Sequence, residues 1–327
     1  MADRIRISVV VPTYNGERWL EQTLRSVLAQ TVQADEVLLA DDASSDRSVA
    51  IAEEVLSSFN GNLLMLGSDK NLGLNRNLAR CVERLSGDVL VQCDQDDVWH
   101  PDKLAAVAGA FAANPAATMV FSDADIIDAD GRSTPCTLWS AVRFTPELRR
   151  RWQHDPLGVL LRQTVVTGGT LAVRRSLLEA AVPFTEFGWM DEWLALLAVL
   201  RGETPVAISD RLMDYRIHGG NSAGVFAGGW RQRLARAGWP QPQKVQMWEE
   251  AASRVDVDGP QSRRLLAAVA FHRRRPDPGT RSRERVRLVA ASCADGSYFR
   301  HGQGLAMIAH DLGGVSVYGR PSRHRTS

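Results

Sequence analysis

Three carboxylates fall within four residues at Asp94, Asp96 and Asp97, directly after the apolar run Val89-Leu90-Val91-Gln92-Cys93. Carboxylates this close raise one another's pKa unless a cation lies between them. Hard oxygen ligands at Asp-x-Asp spacing suit Mg²⁺ or Mn²⁺, and such ions in turn suit a diphosphate. The run before them has the length and composition of a buried strand, and Pro101 fits the first turn of a following helix. The acids are therefore expected where a strand meets a loop, at the edge of a sheet. An acidic surface loop is the plain alternative for an isolated Asp-x-Asp.

The elements that must position these acids alternate along the chain. Ile5–Val11 is a β-branched run and predicts a central strand, broken by Pro12-Thr13-Tyr14-Asn15-Gly16. Leu20, Leu24, Val27 and Leu28 then recur at helical spacing. Val37–Ala40 predicts a second strand ending in Asp41-Asp42, followed by a helix to about Leu56. Leu63–Leu66 predicts a third strand, and Asn71-Leu72-Gly73-Leu74-Asn75 leads into a helix to about Leu85. Strand and helix in alternation with short links predict a mostly parallel sheet with helices on both faces. Ligands of such sheets bind beyond the carboxyl ends of the strands. Three of those ends carry polar clusters: Tyr14-Asn15, Asp41-Asp42 and Asp94–Asp97. No G-x-G-x-x-G follows the first strand and no G-x-x-x-x-G-K-[ST] occurs, so neither a nicotinamide cofactor nor a P-loop is expected.

Further on, Met119–Ser122 predicts a strand ending at Asp123, and Ile126–Gly131 a short strand and turn. Residues 132–154 read as a loop or short helices. Val165–Val173 reads as two short strands around the turn Gly168-Gly169, where backbone can approach a ligand closely. Trp189-Met190-Asp191-Glu192-Trp193 opens an apolar helix to Leu200, and Val206–Ile208 predicts another strand. Beyond Val225 the pattern is helical and basic, with Leu234, Trp248, Val255, Leu265, Leu266, Val269 and Phe271 as candidate buried positions.

The 327 residues, 44% of them apolar, can form a large core. Formal net charge is +1, but residues 225–327 hold 18 Lys and Arg against 8 Asp and Glu, leaving an acidic front of −9 and a basic tail of +10. Such a tail is expected to meet something anionic. Cys81, Cys93, Cys136 and Cys293 show no zinc spacing, which predicts free thiols in a reducing cytosol. Met1–Ile7 is polar, which predicts no signal peptide, and no apolar run is long enough to span a bilayer.

With these residues in view, the chain resembles the family 2 glycosyltransferases of GT-A fold, and within them the bacterial rhamnosyltransferase-like enzymes of surface polysaccharide synthesis. The resemblance rests on Val9–Asn15, Asp41–Ser44, Asn71–Gly73, Asp94–Trp99, Thr167–Gly169, Met190–Trp193 and Tyr215–His218, in the family's order and covering about residues 5–222. It implies an α/β fold of GT-A type: a mostly parallel, Rossmann-like sheet with helices on both faces, plus a C-terminal helical extension. Residues 1–224 would form the catalytic domain, with a nucleotide-binding half of about 1–115 and an acceptor half of about 116–224. Residues 225–320 would be the basic extension and 321–327 a disordered tail.

The resemblance also implies roles. Pro12, Tyr14 and Asp42 would hold the nucleotide base, Tyr14 by stacking and Asp42 by accepting from a pyrimidine N3–H, which favours uracil or thymine over cytosine. Capping of the next helix is the alternative for Asp41 and Asp42, with Ser44 or Ser45 the better cap. Asn15, Asn71, Arg76, Gln95 and Gly168 fall along the nucleotide-sugar side, though Asn71 could equally cap a helix. Asp96 would ligate Mg²⁺ or Mn²⁺ directly, and Asp94 would reach the ribose or a metal-bound water. His218 would meet the metal or the diphosphate and Arg216 the phosphate, while Asp97 is expected to cap the next helix. Asp191 matches the acid of the family's E-D or H-D pair and becomes the candidate general base, although Met190 stands where the family places a second polar residue. Glu192 is its substitute, and helix N-capping the alternative for Asp191. Trp99, Trp189 and Trp193 could pack on sugar faces or in the core.

The expected activity is an inverting, metal-dependent transfer of a sugar, rhamnose among the candidates, from a uridine or thymidine diphosphate sugar to a hydroxyl of a glycan or lipid-linked glycan. A haloacid dehalogenase-type phosphatase would place its Asp-x-Asp on the first strand rather than a later one. A non-catalytic sugar-binding relic would not need Asp94, Asp96 and Asp191 together. The expected setting is cytoplasmic, with peripheral contact on the inner face of the membrane through the basic region or, alternatively, packing of that region on the catalytic domain. No nucleic-acid partner is expected.

Overall fold

The computed structural model describes residues 4–219, 242–255, 259–276, 280–301 and 304–313. The chain divides into two compact units, Met1–Pro156 with Thr164–Phe226, and Leu157–Gln163 with Ala227–Ser327. The boundary expected near residue 224, and Leu234 and the tail at 321–327, lie outside the described residues.

The first unit is built on a nine-stranded mixed sheet. Its strands are β1 (Ile7–Thr13), β2 (Glu36–Asp41), β3 (Asn62–Leu66), β4 (Val89–Gln92), β5 (Val98–Trp99), β6 (Met119–Ile127), β7 (Ser133–Thr137), β8 (Leu171–Arg174) and β9 (Val206–Arg216). They lie in the order β3-β2-β1-β4-β8-β6-β9-β5, with β7 paired to β6. From β3 to β4 all neighbours are parallel. β8 enters antiparallel to both β4 and β6, and β6 and β9 run parallel again.

Every residue of β1 and β2 is buried, as befits parallel strands covered on both faces and rich in β-branched and aliphatic residues. The helices of this unit are α1 (Leu20–Leu28), α2 (Ser48–Leu56), α3 (Leu74–Val82), α4 (Lys103–Ala113), α5 (Leu138–Ala141), α6 (Pro146–Trp152), α8 (Arg175–Ala181) and α9 (Met190–Leu200), while α7 (Pro156–Leu160) belongs to the second unit from Leu157 on. In α1 the buried residues are Leu20, Thr23, Leu24 and Val27, one stripe of a 3.6-residue period. From Glu192 to Leu200, α9 is buried on every side, so it is a core helix. At the amino end of the sheet, buried Glu36 accepts from Ser8, Ser86 and Asn62. Burial works to raise its pKa, but those bonds outweigh it and hold the carboxylate below its usual range.

Three local expectations change. Val165–Val173 forms a single turn of 3₁₀ helix at Gly168–Thr170 and one strand, not two strands, because β8 pairs only from Leu171 onward. Residues 119–127 form one strand interrupted by bulges against β9 rather than two short ones. The strand expected at Val206–Ile208 continues to Arg216 through the exposed residues Ser209, Asp210 and Arg211.

The second unit is helical: α10 (Pro242–Ser253), α11 (Pro260–Arg274), α12 (Ser282–Ala294), α13 (Ser297–His301) and α14 (Leu305–Gly313). Phe271, Val289, Tyr298 and Met307 form its core. Buried Asp311 takes two bonds from Arg275 and one from the Tyr298 hydroxyl, and these hold its carboxyl down at about 2 against the pull of burial. Of the positions expected to be buried, Trp248, Leu265, Val269 and Phe271 are, whereas Val255 is half-buried and Leu266 is 36% exposed. Among the described residues no helix is long and apolar enough to cross a membrane.

Candidate active site

The loop after β4 carries the acids and is held by its backbone. The Thr23 hydroxyl lies 2.9 and 2.8 Å from the carbonyl oxygens of Gln95 and Asp97. Arg216 Nε donates to the carbonyl of Asp96 at 2.7 Å. Three successive carbonyls are thus fixed from α1 and the end of β9. The remaining guanidinium nitrogens of Arg216 reach Gln22, Asp128 and Ala129, and the side chain is 2% exposed. The residue expected to touch phosphate is enclosed by protein acceptors and braces the acid loop.

Each acid has its own surroundings. Asp94 accepts from Gln92 Nε2 at 2.7 Å and from the amide of Gly169. Burial, then repulsion from Asp96, outweigh those bonds and push its carboxyl up to about 6. Asp96 Oδ2 lies 2.6 Å from His218 Nε2, and the imidazole packs on Trp19 with ring centroids 4.2 Å apart. Asp97 does not cap the next helix. Its Oδ1 accepts from the amide of Arg216 at 2.9 Å, and the helix begins after Asp102. Asp97 Oδ2 is buried with no hydrogen-bond partner among the described residues, and burial with the two neighbouring acids drives its pKa well above the usual value.

A lysine lies under this cluster. Lys103, at the start of α4, is fully buried, donates to the Gly169 carbonyl at 2.7 Å, lies 3.1 Å from the sulfur of Met213 and stands over the Trp99 ring. Burial lowers its pKa to about 8, while Cys93, Asp97 and Asp94 pull the other way. Sequence reading missed it, although Lys103, Val107 and Phe111 share the buried face of α4 at i, i+4 and i+8.

Asp191 lies in the first turn of α9, one residue past its start. It does not occupy the N-cap, which is Trp189. Its Oδ1 accepts from the Glu192 amide at 2.6 Å, and the amide of Gly168 also donates to it. Burial, then the charge of Glu192, push its carboxyl up to about 7. Glu192 is 5% exposed, so Asp191 is the more accessible of the two. The Gly168-Gly169 turn fits closely: a Cβ at Gly168 would lie 2.8 Å from Gln92 Nε2, and one at Gly169 would lie 2.7 Å from Asp97 Oδ2.

The other strand ends converge as expected. Pro12 is buried at the end of β1, and Tyr14 beyond it is 47% exposed. Gln95 spans from the acid loop to Tyr14, accepting from its amide at 2.8 Å and donating to its carbonyl at 3.0 Å. Asn15, at φ 49°, takes the amide of Ser45 on its Oδ1. Both oxygens of Asp42 accept backbone amides, from Leu72 and Gly73, while Asp41 Oδ1 is buried with no hydrogen-bond partner among the described residues. Neither aspartate caps α2. Asn71 bonds the amide of Gly73 through its side chain, and exposed Arg76 pairs with Glu186.

Of the expected metal ligands, the structure brings Asp96 and His218 together, while Asp94 turns to Gln92 and Gly169. A separate group, His100, Asp125 and Asp214, has ligand atoms within 4.8 Å of one another, and Asp125 there also pairs with Arg211. All four cysteines are free.

A sheet whose strand ends gather a tyrosine, paired aspartates and an Asp-x-Asp loop marks a GT-A-type protein. Residues 8–180 match the description "Glycosyl transferase family 2", and the chain belongs to that family. An uncharacterized glycosyltransferase of Nostoc sp. is 28% identical over 226 residues, 67% of this chain and 66% of that protein. The dTDP-rhamnosyl transferase RfbG of Shigella flexneri is 33% identical over 96 residues, 28% of this chain and 33% of its own. The chain thus spans about two thirds of the Nostoc protein and one third of the Shigella one. Among solved structures, the mannosyltransferase PcManGT of Pyrobaculum calidifontis, in complex with GDP-Man and Mn²⁺, superposes with TM-score 0.56 at 18% identity, covering 96% of this chain and 86% of that one. Residues 1–349 of S. aureus TarS in complex with UDP-GlcNAc give 0.54 at 16%, covering 95% and 90%. These two likenesses are of fold.

Proposed function

We propose that this chain transfers a sugar from a nucleoside diphosphate sugar to a hydroxyl of a glycan or lipid-linked glycan, with inversion at the anomeric carbon. The observation that carries the proposal is the pairing of Asp191, its carboxyl raised to about 7, with the acid loop through one glycine turn. A carboxylate with a pKa near working pH is suited to take a proton from an alcohol. Asp191 removes the proton of the acceptor hydroxyl as its oxygen attacks the anomeric carbon. Tyr14 offers an open ring face to the base, and Asp42, whose two oxygens already take the amides of Leu72 and Gly73, is the candidate acceptor for the N3–H of uracil or thymine.

Asp96 Oδ2 and His218 Nε2, 2.6 Å apart, are an oxygen and a nitrogen donor of the kind a divalent cation takes, and Asp94 on the same loop is a further carboxylate, repelled by Asp96. Asp96 and His218, with Asp94, would hold Mg²⁺ or Mn²⁺, which supplies charge neutralisation for the departing diphosphate. The Mn²⁺ of the Pyrobaculum mannosyltransferase supports this assignment, and the Shigella relative supports a thymidine nucleotide and rhamnose as the first donor to try. The test is hydrolysis and transfer with a panel of sugar nucleotides, with and without Mn²⁺. Release of nucleoside diphosphate from at least one of them, dependent on metal, is expected. Phosphate release from a generic phosphoester with no sugar-nucleotide turnover would return the phosphatase reading, and no turnover of any kind the binding relic.

For the second unit we infer peripheral contact with an anionic membrane. Val286, Phe299, Leu305 and Leu312 are between 47% and 73% exposed among its many arginines, and such residues together favour anionic interfaces. Co-sedimentation with anionic liposomes but not neutral ones, weakened by salt, is expected; protein left in the supernatant at low salt would make this unit purely structural.

A further inference from the structure

Among the described residues of the first unit, three large apolar side chains are markedly exposed: Tyr14 at 47%, Phe187 at 41% and Trp189 at 41%. Tyr14 is accounted for by the nucleotide base. Phe187 and Trp189 stand four and two residues before Asp191, within roughly 7–14 Å of extended chain. Two other tryptophans that could have met a sugar, Trp99 and Trp193, are in the core at 3% and 0% exposure. The structure therefore separates Trp189 from them.

The exposure does not come from a slack loop. Asn75 Nδ2 donates to the carbonyls of Thr185 and Gly188 at 2.9 and 2.8 Å, so one amide from α3 ties down both ends of the segment. Thr185 is buried, and its hydroxyl takes the amide of Phe187 at 3.1 Å. Glu186 pairs with Arg76. Two aromatic side chains are thus held out in water by a backbone fixed through side-chain bonds, which is how a preorganised binding surface is built.

We propose that Phe187 and Trp189 form the platform on which the acceptor's sugar ring stacks, so that the acceptor is a saccharide presenting a pyranose face rather than a bare lipid phosphate or a peptide hydroxyl. The inference rests on Asp191 being the base. A pyranose has one face of C–H groups, which the negative face of an indole or phenyl ring attracts, and a rim of hydroxyls that need polar partners. Glu186, paired with Arg76, and Asp191 flank the two aromatic residues in the chain and supply polar groups. The donor is placed through its diphosphate at the acid loop. The acceptor arrives from solvent and must be held by contacts of its own next to the base, which suits an open aromatic face.

The test is saturation-transfer difference NMR on the full chain with a nucleoside diphosphate and diamagnetic Mg²⁺ present. The probes are methyl glycosides of rhamnose, mannose, galactose and N-acetylglucosamine. At least one glycoside should receive saturation, concentrated on the ring C–H protons of one face. Trp189→Ala should weaken it about tenfold or more, Phe187→Ser by a smaller factor, and Trp189→Phe should keep most of the signal. Nucleotide binding and thermal melting, read on the same samples, show that each variant is folded. A wild-type protein that binds nucleotide but none of the glycosides overturns the proposal, as does a signal unchanged in both Trp189→Ala and Phe187→Ser. Weaker binding of the sugar nucleotide relative to the free nucleoside diphosphate in Trp189→Ala would assign the rings to the donor instead. Glycoside binding through Trp189 without any nucleotide binding would sink the donor reading and leave the platform standing.

Discussion

Asp191 and Asp94 share one tight turn: the amide of Gly168 donates to the first and the amide of Gly169 to the second. Two acids with different proposed tasks are therefore tied to consecutive peptide groups. The carbonyl of Gly169 is held in turn by Lys103.

The first consequence concerns rate against pH. Asp191 must be ionised to accept a proton, and burial together with Glu192 places its carboxyl at about 7. Transfer should rise with pH through about 7, and Asp191→Asn should lower it by about 10²-fold or more while nucleotide affinity holds. Steady-state profiles and nucleotide titrations of both proteins check this. Lost nucleotide binding with normal turnover at saturation would make Asp191 a donor ligand.

The same shift has a stability signature. The native carboxyl of Asp191 holds its proton to a higher pH than the unfolded one, whose pKa is about 3.9. The native state thus binds more protons between about 4 and 7, and the wild type loses stability across that window as pH rises. Asp191→Asn should melt above the wild type at pH 8 and level with it near pH 4, as scanning calorimetry can show. Equal melting at both values would mean the carboxyl is well solvated.

Asp96→Ala should abolish metal-dependent transfer and weaken Mn²⁺ binding by at least tenfold, because it removes the oxygen that faces His218. Calorimetric titration with Mn²⁺ alone reads this without turnover. A variant keeping a tenth of wild-type transfer would remove Asp96 from the metal site.

Lys103→Met keeps the length of the side chain and deletes its charge. Removing one partner from a buried charged group typically costs about 3–5 kcal/mol. The loss should shrink when Mn²⁺ is added, since a cation above the acids can replace the one below them. Denaturant melts with and without Mn²⁺ measure both numbers, and a deficit indifferent to metal would make Lys103 a packing residue.

Gly169→Ala places a methyl group where Asp97 Oδ2 lies 2.7 Å away and Asp94 Oδ2 3.1 Å. The turn or the acids must move, so transfer should fall by about tenfold or more with the fold retained by circular dichroism. Unchanged transfer would show that the acids tolerate displacement.

The parallel half of the sheet was readable in the sequence because β1, β2 and β4 are buried on both faces and so appear as unbroken apolar runs. The outer half of β9 was not, since Ser209, Asp210 and Arg211 are exposed and polar and carry no alternation. The acids at the strand ends were visible as residues, but their partners were not. Asp97 reads like a helix cap in sequence and is instead turned into the core by the amide of Arg216, more than a hundred residues away. Lys103 reads like a surface charge at a helix start, and only the packing of α4 under the acid loop reveals it as buried. Arg216 shows the reverse case. The resemblance implied a phosphate contact for it, whereas its guanidinium meets backbone carbonyls and the Gln22 side chain, which no local pattern announces.

The amide of Gln95 mimics a peptide group, pairing with both the N–H and the C=O of Tyr14 while belonging to the acid loop. One rigid strut thus joins the proposed base-binding residue to the proposed cation-binding loop. Linkage requires that whatever influence such a strut carries between two sites be equal in both directions. By the proposed roles, a base stacked on Tyr14 would steady the carboxylates before any ion arrives, and an ion on Asp96 would steady the ring that receives the base. A nucleotide and its cation would then bind as two parts of a single cooperative ligand, each tighter in the presence of the other.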